Sequence, residues 1–327
     1  MIGEVKKLLI IPHIKVHNAN ALSSPFTIGF PAMTAWLGAV HALQRKLNAQ
    51  DISVVFSATG VVSHDMDLQT YKGDNDFVHS IVGTGNPLEP KSEKDKPKGN
   101  AVRPAFIEEA RCHLDVSLVI QFDNITIDER KQMLTAISHL LHASMKMAGG
   151  DIKAFQSPFC INCKEGDDQD LRKVQRTLMP GYALIERRDL MLDAMENGAD
   201  ALDALIDYLA IHHQCETDED GNVTWSSYRK TLNNKPVGWI VPIATGFHGI
   251  SELGEAKNQR DPDTPHRFAE SIVTLGEFKM PHRIRFIEDI LWRYQTDGDL
   301  YLCRQKALDS QATELDSITN SIESEFN

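Results

Sequence analysis

The sequence lacks the features that would place it in a membrane or in an oxidising compartment. All of its apolar runs are shorter than the roughly 18 residues that a transmembrane helix needs. The apolar run near the beginning is interrupted at Pro12 and His13, and no small-residue cleavage site follows, so no secretion signal is expected. Five cysteines are an odd number, which favours reduced thiols over a disulfide framework. These absences predict a cytoplasmic protein without membrane contact.

Signature motifs of common enzyme classes are missing as well. The sequence contains no glycine-rich nucleotide fingerprint, Gly-x-Ser-x-Gly elbow, His-Glu-x-x-His helix or phosphate loop. An enzymatic hypothesis therefore depends on single histidines, whose imidazoles titrate near neutral pH. One such hypothesis stays open from the residues alone: a metal-independent endoribonuclease in which His17 or His248 acts as acid or base.

A cysteine-based metal site is incomplete in this sequence. Cys160 and Cys163 have the two-residue spacing of half a zinc site, but no second pair with matching spacing follows. The nearby candidate ligands are His212, His213 and Cys215. We therefore expect a pair of strand cysteines with no metal and no cofactor.

Positive charge is in deficit, with 34 basic against 46 acidic residues and a formal net charge of −12. Such a balance ordinarily argues against a nucleic-acid partner, because phosphate binding needs a positive field. However, residues 309–327 hold five acidic and no basic side chains. Basic residues cluster elsewhere, at Arg172, Lys173, Arg176, Arg187, Arg188, Arg283 and Arg285. A local basic surface is therefore compatible with the acidic composition.

Apolar spacing in the first 165 residues alternates between the periods of strands and helices. The predicted elements are strand 5–16, helix 31–47, strand 52–62, strand 114–122, helix 128–147 and strand 152–161. This βαββαβ order is the ferredoxin-like arrangement of many RNA-binding domains, although many enzymes share it. The predicted fold class is therefore α+β, with a modified ferredoxin-like (RRM-like) core and a C-terminal mixed α/β extension. Because strand 114–122 lacks an RNA-binding aromatic pattern, base stacking on an open sheet is not expected.

We predict three regions along the chain. Residues 1–165 form the ferredoxin-like core, with a charged, proline-containing loop insertion at 86–100. Residues 166–308 form a C-terminal extension or thumb-like region, and 309–327 form an acidic tail. Within the extension we expect helical structure at 181–213, strands and turns at 225–253, and short helices or strands at 268–275 and 285–294.

The stretch HNANALSSPFTIGFPAMTAW, from His17 to Trp36, is uncharged and lies between the first predicted strand and the first predicted helix. A loop of small residues before a helix presents backbone N–H groups and the positive end of the helix dipole, which suits an anion. The side chains able to bind sugars or base edges are Asn18, Asn20, Ser23, Ser24 and Thr27. These groups could equally cap one another and the helix, and both interpretations stay open.

A Pro-His-Arg triplet occurs twice in the second half, at 265–267 and 281–283, and Arg285 follows the second copy. Guanidinium and imidazole groups in rigid loops suit phosphate binding. The alternative, slightly favoured by composition, is that the arginines form surface salt bridges. The candidate acidic partners are Asp261, Asp263, Glu270 and Glu277.

Three long segments together resemble one protein family. They are IPHIKVHNANALSSPFTIGFPAMTAWLGAVHALQRKL, GWIVPIATGFHGIS and RDPDTPHRFAESIVTLGEFKMPHR. The family is that of the Csy-two subunit of the type I-F CRISPR surveillance complex, in the Cas-five group. The resemblance runs in order from about Leu8 to Arg304, and the charged loop near Pro90 and the acidic tail match nothing in it.

The resemblance implies a non-catalytic, RNA-binding subunit without a cofactor, acting in antiviral defence against invading DNA. The implied partners are the 5′ handle of the crRNA, the large subunit of the Csy (Cascade) complex and the adjacent backbone subunit. Whether target DNA near the flanking motif is also contacted stays open. Neutral groups of the His17–Trp36 stretch would specify bases, while the second half supplies charge. The implied RNA-binding residues are Asn18, Asn20, Ser23, Ser24, Thr27, His248, Arg260, His266, Arg267, His282, Arg283 and Arg285.

Overall fold

The computed structural model describes residues 5–83, 89–90, 101–102, 109–217, 221–232, 235–259 and 261–305. Most of the predicted insertion at 86–100, the candidate Arg260 and the predicted acidic tail at 309–327 lie outside these residues.

The described residues form 21 strands and five α-helices. The strands are β1 (Val5–Asn20), β2 (Leu22–Ser24), β3 (Thr27–Ile28), β4 (Val55–Leu68), β5 (Thr70–Tyr71), β6 (Ser80–Ile81), β7 (Glu89–Pro90), β8 (Ala101–Val102), β9 (Arg111–Asp123), β10 (Lys146–Met147), β11 (Gly150–Ala154), β12 (Phe159–Lys164), β13 (Tyr182–Glu186), β14 (His212–Thr217), β15 (Val223–Tyr228), β16 (Thr231–Leu232), β17 (Lys235–Pro236), β18 (Ile240–Gly249), β19 (Ala269–Lys279), β20 (Trp292–Asp297) and β21 (Leu300–Gln305). The helices are α1 (Met33–Asn48), α2 (Arg130–Ala143), α3 (Asp168–Thr177), α4 (Arg188–Glu196) and α5 (Ala201–Leu209). Two short 3₁₀ helices span Pro281–Arg283 and Ile287–Ile290.

Eleven strands form one large antiparallel sheet, so the fold is mixed α/β. The strand order is β10-β11-β1-β9-β4-β13-β19-β18-β21-β20, and β12 pairs with the same edge of β1 as β11. The last strand returns to β4, where Trp292 pairs with Thr59. Six strands therefore close into a ring made of β4, β13, β19, β18, β21 and β20. The sheet contains strands from both sides of the predicted boundary at residue 165, and that boundary stays a prediction.

Helices α1 and α2 cover one face of the central strands. The helix predicted at 31–47 is confirmed as α1, although Pro31 lies before the first turn and accepts a hydrogen bond from the buried Trp36 indole (3.2 Å). The buried residues of α1 are Met33, Trp36, Leu37, Ala39, Val40, Leu43 and Leu47. They pack on alternate residues of β1 and β9, including Leu9, Ile11, Val116 and Leu118. Each large side chain buried in this layer contributes about 1.5–3 kcal/mol to folding.

The opposite face of the same strands is covered from the second half of the chain. Leu8 and Val119 pack in one cluster with Val174 of α3 and with Ile284 and Ile287 of the 3₁₀ region. This part of the sheet is therefore not an open surface on which bases could stack, in agreement with the missing aromatic pattern.

Three sequence-predicted elements differ from the structure. The helix predicted at 128–147 ends at Ala143, and the strand predicted at 152–161 is divided into β11 and β12. The helix ends early because Ser144 has a non-helical φ of −151° and residues 146–147 pair as β10 with β11. Gly150 begins β11 so close to β1 that a Cβ would lie 2.7 Å from the amide nitrogen of Ala19. The segment 181–213, predicted as helical, begins with β13, which pairs with β4 and β19 before α4 starts.

A buried charge network joins the first strand to the 3₁₀ region. Lys6, only 5% exposed, contacts Glu288 at 2.6 Å, and Arg293 donates to both Glu288 oxygens at 2.8 and 3.0 Å. Arg293 also donates to the side-chain oxygen of Gln121 on β9 (3.0 Å). Burial alone would raise the pKa of Glu288, but the hydrogen bonds from Arg293 and Lys6 outweigh it and lower that pKa.

We expect Glu288→Gln to destabilise the fold by about 3–5 kcal/mol, because it leaves the buried Lys6 and the partly buried Arg293 without a carboxylate. Urea unfolding followed by circular dichroism measures the change. The matched control is Asp151→Asn, which removes the carboxylate of the exposed Lys146–Asp151 pair and should change little. Equal stability of the two variants would contradict a structural role for the network.

Candidate nucleic-acid interface

The uncharged stretch after the first strand is not the long loop that the sequence suggested. Strand β1 continues to Asn20, which pairs with Arg111 of β9. A hairpin of β2 and β3 follows, with Leu22 opposite Ile28. The pairing with β9 extends β1 beyond its apolar part. Residues 22–28 are called the hairpin below.

The hydroxyl groups of the hairpin bond to one another. The hydroxyl of Thr27 lies 2.9 Å from that of Ser23 and 2.7 Å from that of Ser24. The hydroxyl oxygen of Ser24 also accepts a hydrogen bond from the backbone of Phe26 (3.1 Å), and Ser24 and Thr27 are buried. These three predicted RNA-binding groups therefore brace the turn.

The two asparagines differ in what their side chains do. Asn20 donates to the carbonyl of Leu22 (3.2 Å) and accepts from the backbone N–H of the same residue (3.1 Å), so it also braces the hairpin. Asn18 has a left-handed φ of 56°, and its backbone N–H donates to His113 Nδ1 (3.1 Å). The exposed Asn18 amide makes no hydrogen bond to the residues that the structure describes, which leaves it free for a ligand.

Phe26 was not among the sequence-predicted residues. It occupies the turn of the hairpin and is 82% exposed. Single exposed apolar side chains are common on protein surfaces, and several others occur among the described residues. Phe26 is a candidate contact residue because the braced turn holds its ring toward solvent beside the end of β1, where Asn18 and Asn20 are exposed. The Ser-Pro-Phe-Thr sequence was the available signal, because proline followed by an aromatic residue inside a polar stretch marks a turn that presents the ring.

The first Pro-His-Arg copy forms structural contacts. Arg267 pairs with Asp299 at 2.5 Å, and its side chain lies over Gly249. His266 bridges Gly254 through the backbone and packs edge-on against Phe268 at 4.9 Å. The salt-bridge interpretation is therefore right for Arg267.

The acidic partners predicted for these arginines were wrong within the described part of the chain. Glu277 pairs with Arg187 (2.6 Å), and Asp261 accepts from the hydroxyl of Thr264 (2.8 Å) in its own turn. The actual partner, Asp299, comes from the turn between β20 and β21, which the sequence pattern does not place near residue 267.

The second Pro-His-Arg copy is presented to solvent. Pro281 is buried and starts the 3₁₀ helix, while His282, Arg283 and Arg285 are exposed and make no side-chain ion pair with described residues. Helix α3 lies beside them, since Gln175 donates to the carbonyl of Ile284 (2.9 Å). Exposed cations on α3 and on the 3₁₀ region thus share one area, which we call the basic surface: Arg172, Arg176, His282, Arg283 and Arg285.

A row of aromatic rings connects the hairpin side of the molecule to the end of β19. Phe30 contacts Phe278 edge-on at 5.3 Å, Phe278 contacts Trp239 at 5.3 Å, and Trp239 contacts Tyr182 at 5.2 Å. Trp239 is 51% exposed. Because β19 ends next to Phe278 and leads into the 3₁₀ helix, the hairpin and the basic surface lie toward the same end of β19.

His248 lies at the opposite end of the paired strands β18 and β19. It pairs with Glu270, whereas Ile240 pairs with Glu277. Eight residues of strand separate His248 from Ile240, or about 26 Å. The hairpin and the residues His282, Arg283 and Arg285 thus lie toward one end of β19, on opposite faces of the sheet. His248, His266 and Arg267 form a separate group at the other end of β18 and β19.

Comparison with known proteins matches most of the chain to one family. The family model for the CRISPR-associated protein Cas_Csy2 matches residues 9–303. The chain is also 32% identical over 326 residues to the CRISPR-associated protein Csy2 of Pseudomonas aeruginosa (strain UCBPP-PA14), covering 93% of this chain and 96% of that protein. The chain belongs to the Csy2 (Csy-two) family. The resemblance found in the three sequence segments is thereby confirmed, and the protein is a Csy2 subunit of the type I-F class of CRISPR systems.

Csy2 proteins take part in a multi-subunit CRISPR complex, and the family match includes both the hairpin and the basic surface. The predicted tail at 309–327 lies outside the match. Among the described residues of this Csy2 chain, no helix has the length and apolarity needed to cross a bilayer.

The histidines considered for acid–base chemistry do not meet in one site. The ring of His17 stacks on His113 at 4.2 Å, on the strands β1 and β9. His248 belongs to β18 and pairs with Glu270 and Leu300. Within the described residues the two candidates therefore do not form an acid–base pair.

The two cysteines of the Cys-x-x-Cys segment lie in β12, as expected for strand cysteines. Their spacing of three places them on opposite faces: Cys160 packs on the α1–α2 side and Cys163 on the α3 side. Burial raises the pKa of both thiols. They do not converge on one metal ion.

The bracing role of the hydroxyls is testable with Thr27→Val, which keeps the side-chain shape and removes the hydroxyl. We expect a loss of about 1–2 kcal/mol in unfolding free energy, because Ser23 and Ser24 lose their common partner. Thr34→Val in α1 is the control, since the Thr34 hydroxyl has no hydrogen bond to other described residues. Unchanged stability of the Thr27 variant together with weaker RNA binding would show that the hydroxyls contact the ligand directly.

Proposed function

We propose that this Csy2 protein is a non-catalytic subunit that binds the 5′ handle of the crRNA in the type I-F surveillance complex. In that complex it would pair with the large subunit and abut the adjacent backbone subunit in the cytoplasm. The observation that carries the proposal is the placement of a braced, uncharged hairpin and an unpaired basic surface toward one end of the sheet, in a chain of the Csy2 family.

We propose further that the first half is a modified ferredoxin-like core. Strands β1 and β4 are connected through α1 and separated in the sheet by β9, and β11 lies on the other side of β1. This is the pattern of a split βαβ unit, which supports the assignment. The extension then continues the sheet from β4 through β13, so the proposed boundary near residue 165 lies inside one hydrogen-bonded structure.

We infer that the basic surface binds phosphates and the hairpin region binds bases, because the side chains without internal partners differ in chemistry. Arg283 and Arg285 offer forked donors to RNA phosphates, and charge-assisted bonds of this kind are among the strongest available. Phe26 offers an aromatic face to an unpaired base, and the free amide of Asn18 offers donors and an acceptor to base edges. A handle of constant sequence can use both kinds of contact, since phosphates position the strand and bases specify it.

His248, His266 and Arg267 would form a second set of contacts. Arg267 is held by Asp299, so its guanidinium is partly occupied before any ligand arrives. A single strand several nucleotides long can extend along β18 from the hairpin end toward this group. A target DNA duplex next to the guide could bind this second set of contacts instead, and it is a further candidate partner.

Endoribonuclease activity remains the rival function. His17 stacks on His113 and His248 lies in β18, so His17 and His248 cannot act as an acid–base pair, and the hypothesis depends on one of them acting alone. Handle or repeat RNA should therefore stay intact in the presence of the protein.

We expect Arg283→Ala with Arg285→Ala to weaken handle-RNA binding at least tenfold at physiological salt, because two phosphate contacts and their counterion release are lost. The measurement is a gel shift with Csy2 co-purified with its large subunit. The control pair is Arg45→Ala with Lys131→Ala, which removes the same charge from α1 and α2 on the opposite face of the sheet.

Equal affinity of the two double variants would remove the basic surface from the RNA site. Repeat RNA cut by the wild-type protein alone, and spared by His17→Ala or His248→Ala, would instead support the ribonuclease.

A further inference from the structure

A cluster of polar side chains lies across the three central strands on the face opposite α1 and α2. It consists of His13 on β1, Asp115 and Ser117 on β9 and His64 on β4. Asp115 and Ser117 share a face with the buried Val119, since strand side chains alternate. None of these residues belongs to the proposed RNA site.

Both histidines sit where the strand register shifts. The β1–β9 pairing slips between Ile11 and Ile14, and the β4–β9 pairing slips between Ser63 and Asp65. Bulges of this kind redirect a side chain and are enriched beside functional sites. His13 also has a φ of 49°, a left-handed conformation that costs energy for a non-glycine residue.

The two bulges aim the imidazoles at each other over β9. The rings of His13 and His64 stack at 4.1 Å with 25° between their planes. His13 Nδ1 lies 3.0 Å from Asp115 Oδ1. The ligand atoms of His13, His64 and Asp115 all lie within 4.8 Å of one another.

The hydrogen bonds of His64 determine its tautomer. Its Nδ1 lies 2.5 Å from the carbonyl oxygen of Pro180, which can only accept, so the neutral ring carries its proton on Nδ1. The lone pair is then on Nε2, which accepts from the Ser117 hydroxyl at 2.6 Å. Ser117 Oγ in turn accepts from the backbone N–H of His13 (3.1 Å). A backbone carbonyl that holds the proton on one nitrogen and leaves the lone pair on the other is the usual support of a metal-ligating histidine. A metal ion at His64 Nε2 would replace the hydrogen bond from the Ser117 hydroxyl.

We propose that His13, His64 and Asp115 bind one divalent transition-metal ion of the zinc type. The ligand atoms would be His13 Nδ1, His64 Nε2 and an Asp115 carboxylate oxygen, and water would fill the fourth position. The 3.0 Å separation between His13 Nδ1 and Asp115 Oδ1 is close to that of two ligands on one tetrahedral ion with bonds of about 2.0–2.1 Å.

The chemistry of the ligand set favours this class of ion. Two imidazoles with one carboxylate suit zinc and its neighbours, whereas magnesium and calcium prefer oxygen ligands alone. The site is also reachable, because the side chains of His13 and Asp115 are 27% and 20% exposed. Ligands from three hydrogen-bonded strands are held rigidly, as a specific site requires.

Metal binding would cross-link β1, β9 and β4 through their side chains. Through His64 and Pro180 it would also fasten the chain just before β13 to the first half. The ion would thereby stabilise the folded protein in proportion to its concentration, since the unfolded chain does not assemble the three ligands.

The test is a titration of untagged, metal-stripped full-length protein with Co²⁺, followed by visible absorption and then by displacement with Zn²⁺. We expect one equivalent to bind with the d–d bands of a low-coordinate nitrogen and oxygen site, and the melting temperature to rise. His64→Gln and Asp115→Asn should each raise the Kd at least tenfold. Glutamine can keep bonds to Pro180 and Ser117, and circular dichroism verifies that both variants fold.

His17→Ala is the matched control, because His17 belongs to the other stacked histidine pair on the same strands, without a carboxylate hydrogen bond among the described residues. It should bind Co²⁺ like the wild type. Absence of binding by folded wild-type protein would overturn the proposal. So would wild-type affinity in both cluster variants, or thiolate charge-transfer bands that place the ion on a cysteine.

Discussion

The salt-bridge network around Glu288 is the constraint on which the arrangement of the two halves depends. Lys6 is a buried cation at the beginning of the first strand, and an uncompensated charge there would be costly. Its carboxylate partner comes from residue 288, which the pairing with Arg293 and the contact with Gln121 hold against β9. Lys6 is paired in this fold because the segment before β20 folds back over the first half.

Because the segment before β20 folds back over the first half, the six-strand ring closes and the basic surface is exposed to solvent. Trp292 pairs with Thr59, and its indole donates to the carbonyl of Leu184 at 3.0 Å. Gly60 permits the close approach, since a Cβ there would lie 2.9 Å from the carbonyl oxygen of Ile290. With the 3₁₀ region fixed in this way, Arg283 and Arg285 point outward from a rigid base. A site that reads a constant RNA segment benefits from such rigidity, because fewer rotamers need to be ordered on binding.

The sequence predicted the elements whose signal is local and missed those set by distant partners. The apolar stripe of α1 and the β-branched run of β1 were enough to predict both elements. The hairpin was not predicted, since its strands are two and three residues long and its bracing depends on hydroxyl contacts within one turn. Asp299 as the partner of Arg267 was equally inaccessible, because 32 positions separate them. The family, in contrast, was recognisable from three long segments whose residues fold into the hairpin, β18 and β19.

The most direct test of RNA binding at the hairpin and the basic surface is ultraviolet cross-linking of the co-purified complex, with the cross-linked peptides identified by mass spectrometry. Handle nucleotides should cross-link within residues 22–28, where Phe26 is exposed, and within residues 281–285. Handle cross-links found in α1 or α2 but in neither residues 22–28 nor residues 281–285, or handle RNA cross-linked only to other subunits, would contradict the proposed interface.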